Sequence, residues 1–213
     1  MKKLCFLLLL NLFLIASTTN SQTIQNKNYF AVSGGSEGYK GDLGSVWFKL
    51  DEEWYGFAGI NYSRYINKSI DMAGAFTFGD YGHCREADEP VLRSDGTEIL
   101  NMLGRLSSLR ISSNYKFANG YLLKEQARFA PYVFAGVGIN HLSEYWWHNK
   151  TRANTGYFGS LNAGLGVRYN FNSKFSLTYS LGFAYFSTDK LDKRIAGTND
   201  MLMQYALQLG FNF

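Results

Sequence analysis

Proline and cysteine are both scarce in this chain of 213 residues. Only two prolines occur. Because proline removes a hydrogen bond from a strand ladder, this scarcity suits a protein made mostly of paired strands. The two cysteines are Cys5 and Cys84. Since Cys5 lies in a segment that we expect to be removed, Cys84 would stand alone, which excludes an internal disulfide.

Long hydrophobic runs are also lacking. Mean hydropathy is -0.19, and after Ala16 no apolar run approaches the ~20 residues of a transmembrane helix. These features argue against a helical membrane protein, but not against a barrel, whose apolar residues alternate with polar ones. The net charge of +4 includes Lys2 and Lys3 of the leader. Without a basic patch, no nucleic-acid partner is expected.

The first residues have the pattern of a cleaved secretory signal. Lys2 and Lys3 precede an apolar stretch from Leu4 to Ala16, which is followed by small polar residues. We expect cleavage between Ser21 and Gln22. This divides the chain into a signal peptide, residues 1–21, and one mature domain, residues 22–213.

The last residues alternate with the period of a β-strand. One face is apolar and the other is small or carries amides. The apolar face consists of Met201, Met203, Tyr205, Leu207, Leu209, Phe211 and Phe213, and the opposite face of Leu202, Gln204, Ala206, Gln208, Gly210 and Asn212. A tilted strand that spans a bilayer needs ~9–11 residues. The pattern therefore favours a strand with lipid on one side and a narrow wet lumen on the other.

Seven further segments show strand-like patterns. The eight predicted strands are Tyr29–Gly35, Tyr55–Ile66, Ser69–Asp80, Leu103–Phe117, Phe129–Asn140, Gly156–Asn170, Lys174–Phe186 and Met201–Phe213. Long connections alternate with short ones, the long ones being Ser36–Trp54, Tyr81–Met102, His141–Thr155 and Ser187–Asp200. This alternation, with an even strand number, predicts an all-β fold, an eight-stranded antiparallel up-and-down transmembrane β-barrel.

The terminal Tyr205-to-Phe213 segment and the strand pattern resemble the small OmpA/OmpX-type outer-membrane barrels of Gram-negative bacteria. The resemblance implies integral location in the cell outer membrane, with both termini periplasmic. It implies contact with outer-membrane lipid and lipopolysaccharide, and recognition by the insertion machinery. The C-terminal insertion signal would comprise Tyr205, Leu207, Leu209, Phe211 and Phe213. The sequence leaves two alternatives open: a barrel that stands alone, or one that binds a protein partner through its outer loops as an accessory subunit of a larger outer-membrane complex.

Four charged residues are predicted to point into the lumen: Asp71, Arg110, Lys116 and Arg168. They could line a conduction path, but side chains fill an eight-stranded interior. We therefore expect a structural, salt-bridged plug. Because bases outnumber the one acid, further partners should come from Tyr132 or from loop carboxylates. Arg64 and Arg105 fall on the predicted lipid face, near strand ends from which they can snorkel to the interface.

His141 and Ser143 are the sharpest catalytic candidates. Residues two apart on a strand share a face, so the imidazole could activate the hydroxyl as a general base. The pair looks like the His-x-Ser of the lipid A deacylase barrels, but Glu144 replaces the asparagine of that family and no carboxylate begins the sixth strand. The favoured interpretation is therefore a non-enzymatic barrel, and the alternative is an interfacial lipid A-modifying esterase. His83 and Cys84 match no metal site, and neither a cofactor nor a metal is expected.

Overall fold

The computed structural model describes residues 27–40, 54–84, 91–92, 98–99, 101–145, 152–188 and 200–213. The predicted signal peptide, residues 1–21, lies outside these ranges. Within them, no helix is long and apolar enough to cross a membrane.

Eight long strands form a closed antiparallel barrel, as predicted. They are β1 (Asn28–Lys40), β2 (Trp54–Tyr65), β3 (Ile70–Cys84), β4 (Asn101–Lys116), β5 (Phe129–Tyr145), β6 (Arg152–Asn170), β7 (Phe175–Phe186) and β8 (Met201–Asn212). Each strand pairs with its neighbours in sequence, and β1 pairs with β8 to close the sheet. A small separate hairpin joins Val91–Leu92 to Glu98–Ile99. Closure leaves the barrel without a free strand edge.

Several strands are longer than predicted, mainly at the end that bears the long connections. β1 continues to Lys40 instead of Gly35, and β5 to Tyr145 instead of Asn140. β6 begins at Arg152 rather than Gly156. The predicted connections Ser36–Trp54 and His141–Thr155 were therefore too long. The backbone keeps its pairing there, with Tyr39 opposite Leu202 and only a register shift between Ser143 and Tyr145.

Asparagine side chains shape two of the short turns in the same way. The Asn67 carboxamide oxygen accepts hydrogen bonds from the backbone N–H groups of Ser69 and Ile70. In the turn between β6 and β7, Asn172 does the same for Lys174 and Phe175. Such local bonds mimic a backbone turn and fix a tight connection. We call the end of the barrel with these turns the short-turn end and the opposite end the long-connection end.

The predicted alternation of side chains is correct on most strands. Large apolar side chains of the outer wall are exposed, among them Phe76, Leu109, Ile139, Leu161, Leu165, Tyr179, Leu207 and Leu209. Inward positions are small or polar and mostly buried, as with Ser112, Asn114, Ser160, Asn162, Ser176 and Thr178. Since a one-residue register slip would exchange the two faces on a strand, this separation fixes the register of the whole sheet.

Candidate functional site

The first group of lumen charges lies near the short-turn end and joins two predicted residues. The Lys116 ammonium group donates a hydrogen bond of 2.6 Å to the Asp71 carboxylate, and Asp71 is only 1% exposed. Arg168 interacts electrostatically with Asp71, and its guanidinium lies 4.0 Å from the ring centre of Tyr29. Three of the four predicted charges therefore meet here, around one carboxylate. A buried charge of this kind is tolerable only with such partners.

The second group surrounds Arg110, the fourth predicted charge. Its guanidinium donates to the Gln204 side-chain oxygen at 3.4 Å, while the Gln204 amide donates to the Glu37 carboxylate at 2.7 Å. Glu37 is buried and lies on β1. It fell in the predicted connection Ser36–Trp54, so sequence reasoning missed it as a lumen residue. Continuing the alternation from Tyr29 in steps of two would have found it.

Aromatic rings fill the space between these charges by lying on glycines. A methyl group added to Gly166 would meet the Tyr132 ring at 2.6 Å, and one added to Gly164 would meet the Phe134 ring at 2.5 Å. The Arg110 guanidinium in turn lies 5.6 Å from the ring centre of Phe134. Glycine is thus required where an inward ring packs against the backbone of the neighbouring strand.

Small polar cavities remain among these side chains. One of about 50 Å³ is lined by Arg110, Arg168, Ser112, Asn114 and Gln208, among others. Two more, of about 10 Å³ each, lie closer to Gln204. Since one water needs roughly 10–15 Å³, these spaces have room for a few bridging waters. As lined by the described residues, each of these spaces has the size of a few water molecules.

Apolar side chains close the lumen toward the long-connection end. We call this cluster the apolar plug, and it consists of Tyr39, Tyr81, Leu106, Leu142, Ala184, Phe186 and Leu202. The Tyr39 hydroxyl donates to the Asp200 carboxylate, and the rings of Phe158 and Phe186 meet edge to face at 5.2 Å. The apolar plug was not predicted, because Tyr39, Tyr81 and Leu142 fell in predicted connections.

His141 and Ser143 share the outer face of β5, as their spacing predicts. The His141 ring packs against Tyr157, with ring centres 4.7 Å apart. The Ser143 hydroxyl is buried and has no hydrogen-bond partner among the described residues. The imidazole therefore does not hydrogen-bond the serine in this structure. The Glu144 side chain lies outside the described part of the chain.

Arg105 lies on the outer wall, as predicted, but it is paired. It forms a salt bridge of 2.7 Å with Asp80, its register neighbour on β3. Its guanidinium also lies 5.1 Å from the ring centre of Phe78. Arg64, the other predicted wall cation, is exposed near the short-turn end of β2.

The predicted insertion-signal residues occupy the outer face of β8. Leu207, Leu209, Phe211 and Phe213 are exposed there, Phe211 the least of them at 36%. Tyr205 is half-buried, because the Trp54 ring lies 5.0 Å from its own. Farther along the strand, Met203 is fully buried, contrary to the prediction of a lipid-facing side chain. The ring of Trp54 explains this difference, since it crosses Gly38, the β1 neighbour of Met203.

Comparison with known proteins finds similar folds among solved structures. No family model matches the chain, and no curated protein matches it. Neisserial surface protein A is similar at a TM-score of 0.58 and 14% identity, covering 87% of this chain and 97% of that one. The fold is that of small outer-membrane barrels.

Two further structures support the same conclusion. Ail, the attachment invasion locus protein of Yersinia pestis, is similar at a TM-score of 0.53 and 13% identity, covering 88% of this chain and 99% of that one. A major outer membrane protein from Thermus thermophilus has a TM-score of 0.53 and 14% identity, covering 87% and 99%. At these identities the likeness establishes the fold, and it confirms the predicted eight-stranded barrel.

Proposed function

We propose that this chain is an integral outer-membrane protein whose barrel is closed to solutes and which acts through its wall and its long connections. The observation that carries the proposal is the pairing of an apolar outer wall with a filled lumen. In water, a soluble protein rarely exposes an apolar patch larger than a few hundred Å². In a lipid bilayer the same wall makes favourable apolar contacts. The apolar plug and the charge pairs fill the lumen, so we propose no transport through it.

The proposed orientation places both termini in the periplasm. Barrels of this class have short periplasmic turns and longer outer loops. The asparagine turns lie at the end where β1 begins and β8 ends, which supports this orientation. Tyr205, Leu207, Leu209, Phe211 and Phe213 would then be the segment that the insertion machinery recognises. The proposed surroundings are outer-membrane lipid and lipopolysaccharide.

The proposed role is structural or one of loop-mediated binding, including that of an accessory subunit in a larger outer-membrane complex. Outward apolar side chains suit lipid and a neighbouring protein equally. A tagged copy purified from outer membranes in mild detergent, with its co-eluting proteins identified by mass spectrometry, tests this role. A stoichiometric partner supports the subunit, and elution alone supports a free-standing barrel. Recovery of the protein only in the soluble fraction would contradict the location.

An interfacial lipid A-modifying esterase is the second candidate. The shared outer face of His141 and Ser143 favours it, whereas the missing hydrogen bond and the buried serine hydroxyl count against it. Mass spectrometry of lipid A from cells that overexpress the protein or its Ser143→Ala variant is the test. We expect unchanged acyl chains in both. Loss of an acyl chain with the natural sequence, but not with the variant, would establish the enzyme.

A further inference from the structure

We infer that the short-turn end is a binding surface for the head groups of anionic phospholipids. This inference rests on the proposed membrane location, since it specifies which lipid the protein meets at one end of the barrel. Three features of that end support it: an excess of positive charge, a girdle of aromatic rings and one exposed apolar segment.

Exposed basic side chains crowd the short-turn end. They come from the strand ends and from all three short connections: Lys27, Arg64, Lys68, Lys124, Arg128 and Lys174. Among the described residues of this end, Glu125 is the one acidic side chain that is not buried, and it forms a 2.9 Å salt bridge with Lys68. Asp71, the other acid there, is enclosed in the lumen. The exposed rim therefore carries a clear excess of positive charge.

The opposite end has the reverse bias in its sequence. Taken together, the four predicted long connections contain fourteen acidic and nine basic residues. Positive charge is thus concentrated at one end rather than spread over the whole chain. Such a field attracts anionic surfaces within about 10 Å at moderate salt.

Directly beside the basic rim, aromatic rings form a girdle on the outer wall. The contacting pairs are Tyr115 with Phe117, Phe129 with Tyr169, Tyr169 with Phe171, Phe175 with Phe211, and Phe211 with Phe213, all with ring centres 4.9–6.0 Å apart. Aromatic side chains collect where hydrocarbon meets head groups. The basic side chains next to them are therefore placed at the depth of lipid phosphates.

The connection between β4 and β5 adds an apolar contact at the same level. Tyr121, Leu122 and Leu123 are exposed, Tyr121 by 82%. The Asn119 side chain fixes them, because its oxygen accepts hydrogen bonds from the backbone N–H groups of Tyr121 and Leu122. Gly120, between Asn119 and Tyr121, has a φ of 84°, a backbone conformation that favours glycine.

This connection leaves the barrel along its outer wall. The Asn119 amide donates to the hydroxyl of Tyr115, which lies on the outer face of β4, at 3.4 Å. The Lys68 salt bridge to Glu125 ties the connection to the neighbouring turn. Apolar residues beside cations in one plane are the pattern of an interfacial segment that binds anionic lipid.

The test compares phosphatidylglycerol with phosphatidylcholine of the same acyl chains. The folded full-length protein in detergent is mixed with equal amounts of the two, and bound lipids are counted by native mass spectrometry at several salt concentrations. We expect a several-fold preference for phosphatidylglycerol that weakens with salt. A juxtamembrane basic residue contributes roughly fivefold to binding an anionic surface. The combined variant Arg64→Gln, Lys124→Gln and Lys174→Gln should therefore lose the preference.

A matched control removes the same charge elsewhere, through Lys190→Gln, Lys193→Gln and Arg194→Gln. This variant should keep the preference. Replacing Tyr121, Leu122 and Leu123 by serine should weaken binding of both lipids alike, since these residues contribute apolar contact. If the natural protein shows no preference, or if the control variant loses it equally, the inference is wrong and an acidic protein partner becomes the better occupant. Failure to form a heat-sensitive folded band would instead contradict the membrane barrel itself.

Discussion

The two halves of the lumen are filled by different chemistries. Toward the short-turn end, Asp71, Lys116 and Arg168 form a charged group, and toward the long-connection end Phe186 and Leu202 belong to an apolar plug. Charged side chains in a closed interior depend on specific partners, whereas apolar ones depend on filled volume. In the charged half, stability therefore depends on whether both members of a charge pair are kept or replaced together. In the apolar half, it depends on side-chain volume.

Removing the central carboxylate should have the largest effect. Asp71→Asn leaves the buried Arg168 and the mostly enclosed Lys116 without their shared acid, and breaking a buried pair in this way costs about 3–5 kcal/mol. The double variant Asp71→Asn with Lys116→Met should recover part of that loss, because it removes one of the two stranded cations. Urea unfolding in lipid vesicles measures the free energy of unfolding of the single and the double variant. Equal losses for the single and double variants would contradict a charge-paired half.

Truncating a side chain of the apolar plug should lower the free energy of unfolding somewhat less than Asp71→Asn does. A second truncation in the plug should not restore it. Leu202→Ala removes a fully buried side chain and leaves a cavity, a change that costs about 2–5 kcal/mol. Leu209→Ala on the same strand is the matched control, because Leu209 is 56% exposed on the outer wall. The same unfolding assay should show a smaller loss for Leu209→Ala. Similar losses at both positions would mean that the plug is not packed.

Adding a methyl group between the two halves should lower stability by less than truncating the apolar plug, but by more than breaking an exposed salt bridge. A Cβ atom at Gly164 would collide with the Phe134 ring and with backbone of β7, and such overpacking costs about 1–3 kcal/mol. Gly156, on the same strand, has open space around its added Cβ and provides the control. Gly164→Ala should lower the urea midpoint of unfolding, and Gly156→Ala should leave it unchanged. A Gly164→Ala variant of natural stability would argue against ring-on-glycine packing.

The smallest effect is expected for the exposed salt bridge outside the lumen. The hydrogen bond to Glu125 raises the pKa of Lys68, so this lysine stays charged at neutral pH. Solvent screens an exposed pair, which therefore contributes little to folding. Glu125→Gln should leave the urea midpoint unchanged, in contrast to Asp71→Asn. A loss as large as that of Asp71→Asn would show that the rim, and not the lumen, controls stability.

The sequence predicted the strand number and the facing of most side chains, because period-two alternation is a local property. It placed Asp71, Arg110, Lys116 and Arg168 inside correctly. It missed Glu37, because polar residues near a strand end look like a loop until the partner strand is known. Asp80 was predicted to end the third strand, but its pairing with Arg105 was missed, because register between strands joins residues that are distant in sequence.

The central claim is a closed barrel that lipid surrounds, and gel mobility tests it most directly. The purified protein is folded into detergent or lipid and run in SDS with and without boiling. A closed barrel resists SDS at room temperature, so the unheated sample should migrate as a compact band. After boiling it should shift to 24.1 kDa, or to the mass without the predicted signal peptide. Identical mobility with and without heat, for protein recovered from the membrane fraction, would contradict the account.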